Sequence, residues 1–355
     1  MNLLKKAFIL SLIIVTTFLL FSCEKKDEIK NISEGENTKI QIEYADYKKN
    51  NNLFLKKGDR IAVISPSATP SREQVDKTIE GLKALDYEPI EGKYAYKEIR
   101  TKSEIIEDLK NALNDDTIKA IFSVRGGYGA SEIMEDIPID LISKSSKMII
   151  GYSDITVYHS AWTKANLLSI HSSMSSTFID LIKECVEPTI KIFEGHIPIY
   201  QCQDNMGNVG DASGILIGGN LSTFTSVIGT EFDSSKINKP YILFLEDVSE
   251  DLPHIHRYLT ILKHQGILKN AKGIIFGEWI DLPPDLGDYL GKSRGGNYQS
   301  IADMIKKEFT DELDIPVAFN FPAGHGNSNY PLLMGEMINL NVKDDSYTLR
   351  WSTSE

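Results

Sequence analysis

The sequence predicts an α/β fold, with a doubly wound parallel sheet in the N-terminal half and a smaller α/β barrel or sandwich in the C-terminal half. Three observations support this class. Short β-branched runs alternate with stretches of helical period from Gly58 onward. Strands that are separated by helices of this length form parallel sheets with right-handed crossovers. The 355 residues, 41% of them hydrophobic, can bury the cores of two ordinary domains.

Residues 53–190 form the N-terminal domain in this prediction. Capping boxes mark the start of two of its helices, at Ser71 with Gln74 and at Thr101 with Glu104. The expected strands are 61–65, 87–90, 120–124, 148–152 and 167–170. Ligands of such a sheet bind at the carboxyl ends of its strands, so we look for functional residues there.

A linker is predicted at 191–213, where the periodicity lapses around Pro198, Gly207 and Gly210. Residues 214–355 then form the C-terminal domain, with β-α units and a closing hairpin. The expected strands are 215–217, 241–245, 273–277, 317–320, 337–342 and 347–351, and the expected helices lie near 221–228, 254–265 and 299–309.

The first 22 residues have the pattern of an export signal, with Lys5 and Lys6 before an apolar run. The run ends in Leu20-Phe21-Ser22-Cys23, which resembles a bacterial lipoprotein cleavage site, so we expect lipidation of Cys23. The alternatives are an uncleaved membrane anchor and a plain signal peptide. Residues 23–52 are polar and read as a flexible tether. The protein is therefore expected in the cell envelope as a membrane-anchored lipoprotein that faces the periplasm or the exterior.

The composition argues against two other classes. Lys and Arg number 38 against 50 Asp and Glu, a formal net charge of −12, and no basic patch stands out, so no nucleic-acid partner is expected. Cys23, Cys185 and Cys202 are too few for a disulfide scaffold or a structural zinc site, although the last two could pair. His254 and His256 lack a matching cluster of ligands, so no metal is expected.

Ser153 is the first candidate for chemistry, because it lies between a predicted strand that ends near Gly151 and a predicted helix. A serine on so sharp a turn exposes its hydroxyl, and the N–H of the next residue lies at a helix N-terminus, where it can stabilise an oxyanion. The alternative is that Ser153 or Asp154 only caps the helix.

The glycine-rich segment Arg125-Gly126-Gly127-Tyr128-Gly129 follows another predicted strand. Its glycines allow backbone amides to approach a ligand closely, so it could complete an oxyanion hole or bind a phosphate. A tight turn that requires positive φ would explain the glycines equally well.

His325 lies between two glycines on a loop after a predicted strand, a position that favours function over packing. His159 and His171 compete with it for the role of a general base. Acids follow the apolar strand 241–245, and an acid there can orient a histidine. Glu246 is nearest to the buried strand and is favoured over the acids that follow it.

These motifs together resemble the LD-carboxypeptidase family of serine peptidases, which includes muramoyl-tetrapeptide carboxypeptidases and the self-immunity peptidases that cleave microcin C. The resemblance extends from about Gly58 to Trp351. The motifs that carry it are Gly58-Asp59-Arg60-Ile61-Ala62-Val63, Arg125-Gly126-Gly127-Tyr128-Gly129, Gly151-Tyr152-Ser153-Asp154, Gly218-Gly219-Asn220-Leu221, Leu245-Glu246-Asp247 and Gly324-His325-Gly326.

The resemblance implies a flavodoxin-like or amidotransferase-like N-terminal domain, a C-terminal swivelling barrel, and a catalytic triad of Ser153, Glu246 and His325. It implies an oxyanion hole formed by the amides of Gly127 and Asp154. The residues that it places at the substrate are Arg125, Gly126, Tyr128 and His171. The implied reaction releases a C-terminal D-alanine from peptidoglycan tetrapeptides, without a metal or organic cofactor, and a homodimer is common in such proteins.

One departure from the family pattern affects the expected substrate. The segment 170–174 reads Ile-His-Ser-Ser-Met, where relatives usually have His-Gly-Pro, so one wall of the pocket differs. Two alternative functions are a related amidase that cleaves a peptide-nucleotide antibiotic of the microcin C type, and a non-catalytic lipoprotein that binds muropeptides.

Overall fold

The computed structural model describes residues 39–49, 54–174, 183–203, 207–280 and 300–354. The predicted export signal and Cys23 lie outside these residues, so their roles stay predictions. Two sheets rich in parallel strands, with helices packed against them, form the described part. The predicted α/β class is confirmed.

The strands and helices are numbered here in chain order. The strands are β1 (Ile40–Asp46), β2 (Arg60–Ile64), β3 (Glu88–Glu91), β4 (Ile118–Ser123), β5 (Met148–Gly151), β6 (Ser169–His171), β7 (His196–Gln203), β8 (Gly210–Asn220), β9 (Tyr241–Val248), β10 (Gly273–Ile280), β11 (Val317–Ala318), β12 (Leu332–Met334), β13 (Met337–Val342) and β14 (Ser346–Trp351). The helices are α1 (Arg72–Ala84), α2 (Lys102–Asn114), α3 (Ile139–Lys144), α4 (Thr156–Lys164), α5 (Lys183–Phe193), α6 (Leu221–Val227), α7 (Leu252–His264), α8 (Ile267–Asn270) and α9 (Ile301–Ile305).

The six-stranded sheet has the order β12-β6-β5-β4-β2-β3. Its five N-terminal strands are parallel, and their order, read from β3, is that of a flavodoxin-like sheet. Ser71 and Thr101 form the two predicted capping boxes at the starts of α1 and α2. Because the order reverses between β2 and β4, the loops after these two strands flank the crevice in which ligands of this fold bind.

The sixth strand of this sheet, β12, comes from the C-terminal half and runs antiparallel to β6. Sequence periodicity did not reveal it, because a strand of three residues is too short to show a period. The two halves of the chain therefore share a sheet as well as a hydrophobic core, in which Trp162 of α4 and Phe224 of α6 are both fully buried.

The eight-stranded sheet has the order β1-β7-β14-β13-β8-β9-β10-β11 and is the part of the structure that corresponds to the predicted barrel. Strands β8 to β11 are parallel, whereas β1, β7, β14 and β13 form an antiparallel half. Glu246 in β9 pairs with Asn220 in β8, so both residues lie at the carboxyl edge of this sheet.

The predicted tether and the predicted linker both contain strands that the sequence did not predict. The C-terminal end of the predicted tether forms β1, and the predicted linker 191–213 contains β7 and the start of β8. In β1 only Ile40 and Ile42 pack against the core, so one face of an edge strand is polar and the composition resembles a linker. In β7 the presence of Pro198 hides a buried strand.

Two remaining expectations concern cysteines and membrane helices. Cys185 and Cys202 are both buried and do not form a disulfide. Among the residues that the structure describes, none of the helices is long and apolar enough to span a bilayer.

Candidate active site

Ser153 lies on the sharp turn that the sequence predicts between β5 and α4. Its φ of 64° is in the left-handed region, and a single 3-10 turn, Ser153–Ile155, leads from it into α4. A left-handed conformation costs a residue with a side chain about 1–2 kcal/mol, so the surrounding structure must hold it. The partly exposed Ser153 on a strained strand-to-helix turn has the geometry of a nucleophile elbow.

The glycine-rich loop lies against this elbow. A Cβ atom on Gly126 would be 2.9 Å from Ser153 Cβ and 3.3 Å from the backbone nitrogen of Asp154, so only a glycine fits without displacement. The neighbouring Gly127 has a φ of 99°. The structure therefore brings together the segment predicted to form an oxyanion hole and the serine that it would serve.

Two predicted substrate-binding residues of this loop are accessible. Tyr128 is 70% exposed, and Arg125 is exposed while its Nη1 donates a hydrogen bond to the carbonyl oxygen of Thr69 at 3.3 Å. Gly126 is buried by its contact with the elbow. Arg125 and Tyr128 can therefore reach a ligand, whereas Gly126 can contribute only through its backbone.

The side chain of Asp154 has a role that sequence reasoning missed. Its buried carboxylate accepts hydrogen bonds from the hydroxyl of Ser67 and from the N–H of Ala130, the latter at 2.8 Å. Burial raises the pKa of this carboxyl above its ordinary value. Asp154 thus ties the loop after β2 and the end of the glycine-rich loop to the elbow. The signal that could have found it is an acid directly after the candidate nucleophile.

His325 and Glu246 are joined by a hydrogen bond of 2.8 Å between Nδ1 and Oε2. Glu246 is fully buried at the end of β9, and the His325 side chain is 16% exposed. The His325 ring lies 4.8 Å, between ring centroids, from the ring of Tyr152, the residue before Ser153. Two of the three residues predicted as a triad are thus in contact, and His325 packs against the residue that precedes the third, Ser153.

Asp247, the neighbouring acid, has different partners. Its carboxylate accepts hydrogen bonds from Asn220 Nδ2 at 2.7 Å and from the N–H groups of Ser222 and Val248 at 2.9 Å each. Burial, helped by the charge of Glu246, raises the pKa of Asp247 to about 7. Asp247 therefore fastens the start of α6 to β9, and Glu246 is the acid that contacts His325.

His171 is a buried residue whose ring lies 6.0 Å from that of Tyr152. It is completely buried in β6, where it pairs with Leu332 of β12, and its ring lies 5.1 Å from that of Phe244. Burial, with smaller effects from His159 and His325, lowers its pKa well below the ordinary value. The structure does not support the prediction that His171 binds substrate, because its side chain is completely buried.

His159, the other competing histidine, is also buried. Its Nδ1 lies 2.8 Å from Ser169 Oγ, and its Nε2 lies 3.0 Å from the carbonyl oxygen of Gly151. Burial lowers its pKa to about 4. His159 therefore supports the backbone before the elbow, and it does not face the Ser153 hydroxyl as a base.

Two further residues hold the His325 loop and were not found from the sequence. The N–H of Gly324 donates to Asn329 Oδ1 at 3.1 Å, and the N–H of Gly326 donates to Glu278 Oε2 at 3.1 Å. With Glu246 on His325, three successive residues are held by three different side chains. Glu278 lies near the carboxyl end of β10 as Glu246 lies near that of the adjacent β9, and this equivalent position after an apolar run was the signal available in the sequence.

The two histidines of α7 contact separate carboxylates. His254 Nδ1 lies 2.7 Å from Asp251, and His256 Nε2 lies 2.9 Å from Glu308. Within the described ranges, no group of three or more His, Cys, Asp and Glu side chains is arranged to hold a metal ion.

Comparison with known proteins identifies the family. The model of the LD-carboxypeptidase N-terminal domain matches residues 61–172, and that of the C-terminal domain matches residues 213–340. The chain belongs to the LD-carboxypeptidase family. Both matched regions contain the predicted motifs, since Ser153 lies in the first and Glu246 and His325 lie in the second.

Relatives of this LD-carboxypeptidase include a probable murein peptide carboxypeptidase of Bacillus subtilis strain 168, 28% identical over 315 residues, which cover 85% of this chain and 94% of the relative. The murein tetrapeptide carboxypeptidase of Pseudomonas aeruginosa is 25% identical over 316 residues, which cover 82% and 95% of the two chains. The crystal structure of muramoyltetrapeptide carboxypeptidase from Oxalobacter formigenes superposes with a TM-score of 0.71 at 24% identity, over 82% of this chain and 98% of that one. This last likeness shows the same fold.

Proposed function

We propose that this LD-carboxypeptidase is a serine-type enzyme that releases the C-terminal D-alanine from peptidoglycan tetrapeptides by hydrolysing the L,D amide bond. The observation that carries the proposal is the hydrogen bond between Glu246 and His325 beside the strained serine of the elbow. The names of the murein peptide carboxypeptidases to which the chain is similar support the substrate class.

In the proposed mechanism, Ser153 Oγ attacks the scissile carbonyl carbon while Nε2 of His325 takes its proton. Glu246 accepts the proton on Nδ1 in a hydrogen bond, which fixes the ring and stabilises the imidazolium. His325 then gives its proton to the leaving amino group of D-alanine. A water molecule, activated by the same histidine, hydrolyses the ester on Ser153 and restores the serine.

The oxyanion of each tetrahedral intermediate is assigned to the N–H groups of Asp154 and Gly127. The close approach of Gly126 to both Ser153 and the Asp154 nitrogen supports this assignment, because it leaves the loop amides next to the reacting carbon. A carboxypeptidase must also bind a terminal carboxylate. Arg125, exposed on the same loop, carries a guanidinium suited to that contact.

The place of action is proposed from the N-terminal sequence. Lipidation of Cys23 would anchor the chain to a membrane, and residues before β1 would connect the anchor to the folded part. The substrate would then be peptidoglycan of the cell envelope. A homodimer is proposed on the family resemblance alone.

The test uses the full-length chain in detergent micelles, incubated with a muramyl tetrapeptide that ends in D-alanine and followed by mass spectrometry. The parent should release one alanine, and the Ser153→Ala variant should release none. A tetrapeptide ending in L-alanine is the matched control, because it has the same composition and should stay intact.

Two results would contradict the proposal. Cleavage of a peptide-nucleotide conjugate of the microcin C type, with the tetrapeptide left intact, would favour the related amidase. Binding of the tetrapeptide without turnover, unchanged in Ser153→Ala, would favour a muropeptide-binding lipoprotein.

A further inference from the structure

The loop that carries His325 runs along the end of β10. The N–H of Phe321 donates to the carbonyl oxygen of Phe276 at 3.0 Å, and the N–H of Glu278 donates to the carbonyl oxygen of Ala323 at 3.1 Å. Beyond these backbone contacts, the side chain of Glu278 continues the pairing by accepting the N–H of Gly326 at 3.1 Å. The backbone of the loop is thus held to β10 on both sides of His325.

We propose that Glu278 is a positioning residue for the reaction, which holds the Gly326 amide and thereby orients His325 toward Ser153. This inference rests on the proposed function, because it takes His325 as the general base. Glu246 holds one ring nitrogen of His325 in a hydrogen bond of 2.8 Å. Glu278 holds the backbone amide of the next residue, so side chains of two adjacent strands hold both the ring and the loop that carries it.

The contact between Glu278 and the loop is close-fitting. A Cβ atom on Gly326 would lie 2.2 Å from Glu278 Oε2 and 2.7 Å from its carboxyl carbon. Glycine at this position therefore lets the carboxylate pack directly against the backbone, which no larger residue would permit without moving one of the two. The carboxylate thus adds a third contact between β10 and the loop, directly after His325.

The charge of Glu278 also affects the protonation of His325. Burial raises the pKa of Glu278 to about 7, and the negative charge of Glu246 on β9 acts in the same direction. The Gly326 amide and His325, both on the loop, act in the opposite direction. When Glu278 is ionised, a second carboxylate therefore faces His325 and favours its imidazolium form.

The test measures alanine release from the tetrapeptide by Glu278→Ala and Glu278→Gln across pH 5 to 9. Misplacement of a catalytic group by about 1 Å costs roughly 100-fold in rate, so we expect Glu278→Ala to lower kcat by about 10- to 100-fold with KM changed by less than about threefold. Glu278→Gln keeps an oxygen acceptor and should restore kcat to within about threefold of the parent. Because Gln carries no charge, the acid limb of its rate profile should move to lower pH.

Asp108→Asn is the matched control for the charge change. Asp108 is a buried carboxylate that accepts the N–H of Tyr94 at 2.9 Å, and burial raises its pKa to about 6. This variant should leave both kcat and the pH profile unchanged. A kcat of Glu278→Ala equal to that of the parent would overturn the proposal. An increase of KM with kcat unchanged would also overturn it, by making Glu278 a substrate contact.

A double-mutant cycle tests the contact itself. Gly326→Ala should lower kcat in the parent, because the new methyl group displaces Glu278, and should cost less in the Glu278→Ala background. Additive effects of the two substitutions would contradict the inference.

A failure of the proposed function is distinguished by a readout that needs no peptide. The rate at which a fluorophosphonate labels Ser153 reports its activation by His325, whatever the natural substrate is. Glu278→Ala should slow labelling by the same factor as kcat, while Ser153→Ala abolishes it. Labelling of the parent without release of alanine would refute only the substrate. Equal labelling of the parent and Glu278→Ala would refute the positioning role.

Discussion

Gly126→Ala is expected to abolish most of the activity without unfolding the protein. The added methyl carbon would lie 3.2 Å from Ser153 Oγ and 3.3 Å from the Asp154 nitrogen. An oxyanion accepting a hydrogen bond from that nitrogen would occupy the same space, at about 2.9 Å from it. Loss of one such donor costs roughly 100- to 1,000-fold in kcat, and we expect kcat to fall by that factor.

The assay is release of alanine from the tetrapeptide, with thermal unfolding measured in parallel. Gly81→Ala is the control, because Gly81 lies inside α1 and an added Cβ would meet nothing within 4 Å. That control should keep full activity and gain about 1 kcal/mol of stability, since alanine is the better helix former. If Gly126→Ala keeps kcat within about threefold of the parent while folding normally, the Asp154 amide is not the oxyanion donor.

Four other substitutions, at three positions, test the site. Glu246→Gln removes the charge that lies 2.8 Å from His325 Nδ1. Two opposite charges about 4 Å apart attract each other by about 4 kcal/mol at an effective dielectric constant of 20, so kcat should fall about 1,000-fold. Full activity of this variant would exclude Glu246 as the acid of the triad. Ser153→Gly and Ser153→Ala should both be inactive. The free energy of unfolding of the glycine variant should exceed that of the alanine variant by about 1 kcal/mol, because glycine adopts the left-handed conformation without strain. Equal free energies of unfolding would show that the turn is not strained. The raised pKa of Glu278, about 7 against an ordinary 4.5, means that the folded chain binds more protons than the unfolded chain in this window, so this group's contribution to stability falls as pH rises. Glu278→Gln should therefore gain about 2 kcal/mol relative to the parent in urea unfolding at pH 8, with the gain absent at pH 4.5, and an equal gain at both pH values would reject the assignment.

The parts of the site that lie at strand ends could be predicted from the sequence. Ser153 follows an apolar strand and precedes a helix, and Glu246 follows another apolar strand, so period and turn chemistry place both at carboxyl edges. His325 was identifiable from its two flanking glycines, although β11, the strand before it, covers only Val317–Ala318. Their convergence was implied by family resemblance, because distances between loops leave no mark in sequence periodicity.

The failures have a common physical cause. The family resemblance placed His171 at the substrate, but β6, which carries it, pairs with β12, distant in sequence, and its side chain is completely buried. The edge strand β1 was taken as tether because four of its seven residues are exposed. In both cases a partner far along the chain decides the outcome, and local pattern does not contain that information.

Two buried acids near His325, Asp247 and Glu278, differ in the number of hydrogen bonds that they receive. Asp247 and Glu278 lie on adjacent strands, and burial raises the pKa of each to about 7. Asp247 receives three hydrogen bonds from Asn220, Ser222 and Val248, so its burial is compensated and its role in fastening α6 is sufficient explanation. Among the residues described, Glu278 receives one hydrogen bond, from Gly326, so its burial near the charge of Glu246 is compensated less than that of Asp247. A fold selected for stability alone would replace such a group by a neutral one, and its presence next to the base is therefore better explained by the reaction.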